Sequence, residues 1–182
     1  MDEGQAEVLD FWFRELTPQQ WFADGKQMDP LMRDRFGDLH RQAVSGELDE
    51  WSATPLGRLA LILLLDQFSR NIHRGSPQAF ATDGKAQKLV LDGIDKGMDK
   101  KLTVSQRQFF YMPLMHAEDR QLQARSVECF AALKAALEDT LRFAEKHKEE
   151  VDRYGRFPHR NKAMGRANTA EEEEFIASTK DY

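Results

Sequence analysis

The sequence predicts an all-α fold, and three observations carry that expectation. Apolar residues recur at helical spacing almost throughout, four Thr-, Asp- or Ser-Pro pairs stand where helices would begin, and strand signals are sparse. No Asn-Gly or Asp-Gly pair lies between alternating apolar residues as a hairpin would require. Helices of about 12 to 20 residues joined by short Pro/Gly loops predict stacked antiparallel helical hairpins, a degenerate TPR-like arrangement. A C-terminal loop and short helix are expected to pack back on the core. A direct search for a 34-residue repeat, the TPR period, finds nothing convincing. The chain of 182 residues suits a single domain over 1–182, with a basic loop at 153–168 and a short terminal helix and tail at 169–182.

The elements follow in order. Val8, Leu9, Trp12, Phe13 and Leu16 form one apolar stripe of a helix over 5–16. Thr17-Pro18 opens a short turn with Trp21 and Phe22, and Asp29-Pro30 opens a helix to Ser45, stopped by Gly46. Thr54-Pro55 starts a helix of a different kind, because Leu59 to Leu65 is apolar on every side and must be central. Ser76-Pro77 begins the segment to Gly97, Thr103 caps the next helix, and Pro113 kinks or ends it. From Glu118 to Tyr154 no strong breaker occurs, yet about 37 residues is long for one globular helix, so a break is placed at Glu138 to Thr140. Thr169 and Glu172 form a capping box for the last helix.

Composition bounds the function. The 26 Lys+Arg and 31 Asp+Glu give a net charge of −5, which argues against nucleic acid as a general partner. No run reaches the ~18 apolar residues of a membrane span, and the acidic start (Asp2, Glu3) is unlike a secretory signal. With one cysteine, Cys129, on an apolar helical face, a reduced cytoplasmic protein is expected.

Three polar clusters interrupt this helical pattern. The first follows the buried run: Asp66, Gln67, Arg70, Asn71, His73 and Arg74. On a continuing helix Asp66 and Arg70 share a face with His73 or Arg74, and Gln67 and Asn71 form the adjacent row. The second contains His116, Glu118 and Asp119, and the third runs from Arg153 to Arg166, with a formal charge of +5 and no acid. Buried charges need partners, from the protein or from a ligand.

These stretches also carry a resemblance. LLLDQFSRNIHRG (63–75) with AFATD (79–83), FFYMPLMHAED (109–119) with Arg125-Ser126, RYGRFPHRNKAMGR (153–166) and VLDFWF (8–13) resemble the motifs of the bacterial family named domain of unknown function 924. The resemblance spans almost the whole chain and implies a helical TPR-like fold; it implies no reaction. Ala117 stands where many members have Ser, and Ser69 where Pro is common.

The residues admit three readings. In the first, Arg70, Arg74, Arg156, His159 and Arg160 bind a small anionic ligand or acidic peptide, because guanidinium groups grip oxyanions bidentately and keep their charge when desolvated. Asp66, Gln67, Asn71, His73, His116, Glu118, Asp119, Asn161 and Arg166 would orient them. In the second, hydrolase- or transferase-like acid-base chemistry uses His73, His116 and His159 with the carboxylates. In the third, the clusters neutralise one another as a structural fastening. No cofactor is implied, and the spacing contains no ready-made metal motif, since no His-x-x-x-His pair exists and His116-x-Glu118 does not share a helix face. RNA binding is disfavoured by the confinement of positive charge to one stretch.

Overall fold

The computed structural model describes residues 2–22, 25–134 and 138–179. Residues 180–182 of the expected tail lie outside them. Every regular element among the described residues is helical, and none is a strand. The chain divides into two compact units, one of Met1–Arg74 with Gln78–Pro113, the other of Gly75–Pro77 with Leu114–Tyr182.

In the first unit, Asp2 caps α1 (Glu3–Asp10) by accepting from the Gly4 amide at 2.8 Å, and α1 runs into a π-helical turn, Phe11–Glu15. The proline starts fall where expected, at α2 (Pro18–Phe22), α3 (Asp29–Ser45) and α4 (Pro55–Leu63). Gly46 ends α3 with φ 94°, a left-handed conformation that glycine adopts without a Cβ penalty. Thr54 caps α4, accepting from the Gly57 amide at 3.1 Å.

Leu59 to Leu65 are all fully buried, which makes α4 the central helix of this unit. It packs against α1 and against α6 (Asp83–Asp95). Burying each such leucine contributes about 1.5–3 kcal/mol, so this run dominates the unit's hydrophobic stabilisation. The helix then widens into a second π-helical turn, Leu64–Phe68, before α5 (Ser69–Ile72). Phe68 meets Phe11 and Phe36 at centroid distances of 5.9 and 4.8 Å, which ties the π-helical turn after α1 and the middle of α3 to the centre. Phe109 of α7 (Val104–Met115) gathers Trp12, Phe13, Trp21 and Phe22 around it. Pro113 lies inside α7, which ends two residues later.

In the second unit, Asp119 caps α8 (Arg120–Ala131), accepting from the Gln121 and Leu122 amides at 2.9 and 2.8 Å. α8 packs on α9 (Glu138–Tyr154), burying Phe130, Ala144 and Val151. The break between them therefore precedes Glu138–Thr140 and lies after Ala131. Glu138 is the first residue of α9, where an acidic side chain suits the positive end of the helix dipole. The capping box forms as expected: Thr169 accepts from the Glu172 amide at 3.2 Å and Glu172 accepts from the Thr169 amide at 2.7 Å, opening α10 (Ala170–Ser178).

Candidate functional site

In the first unit the cluster at 66–74 is divided by the local helix geometry. Asp66 and Arg70 stay on one face and pair at 3.2 Å, and the Gln67 amide donates to Asp66 at 2.6 Å. Arg70 also grips Asp83 with two N–H groups at 2.9 and 3.1 Å, donates to the Ala79 carbonyl, and covers the Phe80 ring. Burial works against the Arg70 charge, but Asp66 and Asp83 outweigh it and hold the pKa above its ordinary value. Thr82 adds a bond to the Leu65 carbonyl at 2.5 Å, so the whole 79–83 segment is fastened to the end of the central helix.

Asn71 and Arg74 turn the other way. The helix stops at Ile72, so Arg74 leaves the Asp66–Arg70 face, and together with Asn71 it holds Asp29 at the start of α3. Arg74, then Asn71, lower the Asp29 pKa against the opposing effect of burial. His73 lies against His40, ring centroids 5.1 Å apart.

The second unit contains the other predicted residues. Glu118 is the hub of one group: it accepts the Phe157 amide at 3.1 Å and two Arg166 N–H groups at 2.7 and 2.9 Å. Burial raises its pKa, but Arg166 and the Phe157 amide outweigh that and leave it below the usual carboxylate range. Arg156 grips Glu172 bidentately at 2.7 and 2.8 Å and also donates to the Ala167 carbonyl. Glu172 is only 2% exposed, and Arg156 takes its pKa down to about 2. Arg160 lies flat over Phe157, 4.4 Å from the ring centroid. His159 shares a hydrogen bond with the Thr179 hydroxyl at 2.9 Å, and burial lowers its pKa, so it is a neutral imidazole at pH 7. His116 faces His147 at 6.4 Å, Asn161 donates to Asn168, and Asp119 serves as the helix cap.

In this unit Gln123 Oε1, Ser126 Oγ, Tyr154 OH, Asn161 Oδ1 and Arg166 Nε are buried and have no hydrogen-bond partner among the described residues. The Gln123 amide nitrogen meanwhile donates to the Met115 and Ala117 carbonyls, next to the Glu118 hub. Sequence reasoning places Gln123, Ser126 and Tyr154 in or beside the polar clusters but gives them no part in the site, because a polar residue on a helix is ordinarily solvated and nothing in the spacing marks these as buried. It also missed the counter-charges Asp29, Asp83 and Glu172. Each stands in the first turn of a helix, where capping and the helix dipole already account for an acid. Among the described residues, no group of three His, Cys, Asp or Glu side chains converges as a metal cage.

A family model described as "Bacterial protein of unknown function (DUF924)" matches residues 8–180. A solved structure of a protein of unknown function from Agrobacterium tumefaciens is 39% identical in sequence, with a TM-score of 0.87. The similarity covers 96% of this chain and 97% of that one. No curated protein matches the chain.

Proposed function

The chain belongs to the bacterial family of unknown function DUF924, and from that premise we propose that it binds a small anionic ligand in its second unit, at the cluster of Arg156, His159, Arg160, Asn161 and Arg166. The observation that carries this reading is that two members of that cluster keep a buried polar atom without a partner, Asn161 Oδ1 and Arg166 Nε, as do Gln123, Ser126 and Tyr154 of the same unit. A buried polar atom left unpaired costs about 1–3 kcal/mol, so polar atoms kept unpaired within one basic cluster favour a group that completes them. They include donors (Arg166 Nε, Tyr154 OH) and acceptors (Gln123 Oε1, Asn161 Oδ1), which suits a ligand carrying hydroxyl or amide groups as well as an oxyanion. Their burial favours a small molecule over an acidic peptide, which needs an open groove.

Glu172 occupies Arg156 in the way a ligand carboxylate or phosphate would. α10, fastened by Arg156–Glu172 and Arg153–Glu171 and by Phe175 against Tyr154, is the element that has to lift for a ligand to enter. Arg70 and Arg74, engaged by Asp66, Asp83 and Asp29, act in this reading as fastenings of the first unit.

The test is a thermal-shift panel of phosphate, small carboxylates and nucleotides. A bound compound at 100 times its Kd adds about 2.7 kcal/mol of stability. The response to small carboxylates should vanish in Arg156→Ala and appear at lower ligand concentration in Glu172→Gln, where the competing carboxylate is gone. A silent panel, or a response unchanged in both variants, overturns the proposal. The pairing of Arg156 with Glu172 and of Arg166 with Glu118 favours a second reading, in which the cluster is purely a fastening. That reading predicts a lower melting temperature in Arg156→Ala with no ligand response in any variant.

A further inference from the structure

The first unit contains a cavity of about 280 Å³ beside α4 and α6 that no motif marks and that lies outside the cluster at 66–74. Its cationic wall is Arg58, Lys85 and Lys88, and Leu89 supplies an apolar surface. Arg58 is only 2% exposed, and the fold makes room for it: a Cβ on Gly93 would lie 2.8 Å from Arg58 Cδ and 2.5 Å from Phe110 Cζ. The guanidinium donates to the Ser52 carbonyl through Nε and NH2 at 3.1 and 2.8 Å, to the Leu89 carbonyl at 2.8 Å, and to Asp92 at 2.7 Å.

Lys85 is similarly placed, with its ammonium on the Ala43 carbonyl at 2.8 Å and on Asp49 at 2.6 Å. Lys88, one helical turn further along α6, is exposed and has no ion pair or hydrogen bond among the described residues. A guanidinium has five N–H donors and an ammonium three. These bonds therefore leave one donor on Arg58, one on Lys85 and three on Lys88, while the lining carries three cations against the two carboxylates Asp49 and Asp92.

We propose that this cavity binds a small phosphate-bearing ligand, its phosphate held by Lys85, Lys88 and Arg58 and its neutral body lying against Leu89. The spare donors come from a buried helix wall and from two successive turns of α6. Tetrahedral phosphate oxygens meet such separated directions, whereas a planar carboxylate offers its two oxygens in one plane. The net positive lining matches a phosphate monoester, and the volume leaves room for an attached group of a few heavy atoms. The site is independent of the one proposed in the second unit.

Titration of the full-length Arg156→Ala chain, in which the second-unit site is disabled, with inorganic phosphate and with glycerol phosphate, followed by calorimetry and by 31P resonance at constant ionic strength, tests this. Saturable one-to-one binding is expected, tighter for the monoester. Lys88→Ala should weaken it by about tenfold, Lys88→Arg by less than about threefold, and the Lys85→Ala/Lys88→Ala double variant should remove it. Circular dichroism checks that each variant is folded. Carrying the lysine variants in the Arg156→Ala background separates this binding from that of the second unit. In that background, absence of saturable binding, or binding that survives in the folded double variant, overturns the proposal.

Discussion

His40 lies on α3 at 4% exposure, with the His73 ring 5.1 Å away and Arg41 next to it in sequence. Burial, then the charges of His73 and Arg41, push its pKa down to about 4. The unfolded chain, with an ordinary imidazole near pH 6.5, therefore takes up the proton first. Stability from this residue is complete above about pH 6.5 and is lost as the pH falls through 4, by on the order of 3 kcal/mol at most. His159, lowered by burial, acts with the same sign. Carboxylates held low by arginine, such as Asp29 and Glu172, add their loss only below the ordinary carboxylate range. Urea denaturation at pH 7 and pH 5 should show wild type losing more stability than His40→Gln; equal losses would remove His40 from this account. None of this was legible from sequence, because the partner ring, His73, lies just after α5, far along the chain.

At the scale of elements, helix starts and stops were legible because they are local. Pro at the first turn fixes φ and needs no donor, and a Thr before the first turn accepts a free amide, so Pro30, Thr54-Pro55 and Thr169 act within a few residues of themselves. The π-helical turn at Leu64–Phe68 was not legible, since an extra residue in a turn is selected by what packs around it. The two glycines in α6 make the difference between local and tertiary demands measurable. Gly84 has open space where a Cβ would go, so Gly84→Ala should stabilise the chain by about 0.4–1 kcal/mol. Gly93 faces Phe110 and Arg58 at under 3 Å, so Gly93→Ala should destabilise it by roughly 1–3 kcal/mol. Urea unfolding of both variants checks the sign, and equal effects would refute the close approach on which the seating of Arg58 depends.

At the scale of the whole molecule, a net charge of −5 coexists with a stretch, 153–166, of charge +5. Arg153, Arg156 and Arg166 within it bind Glu171, Glu172 and Glu118, so three of its five cations are matched by acids of the same unit, which breaks up a phosphate-tracking surface. Generic single- or double-stranded RNA should accordingly give no mobility shift at about 150 mM salt, and a shift that weakened steeply with added salt would contradict the charge argument. No helix of the described residues is long and apolar enough to cross a membrane.

The sequence by itself determined the helical class, the order of most helices, the burial of Leu59 to Leu65 and the family, because these depend on periodicity, capping and strings of adjacent residues. It also located the polar clusters. Only the tertiary structure decided what those clusters do to one another: Arg70 with Asp83, Arg74 with Asp29, Arg156 with Glu172 and Arg166 with Glu118 are separated by 13 to 48 positions. Charge pairing over such distances is set by which helices pack, and an acid in the first turn of a helix, such as Asp29, Asp83 or Glu172, gives no sign in sequence that an arginine claims it. The Arg58 cavity was hidden for the same reason, since its walls come from α4 and from two turns of α6 that only packing brings together.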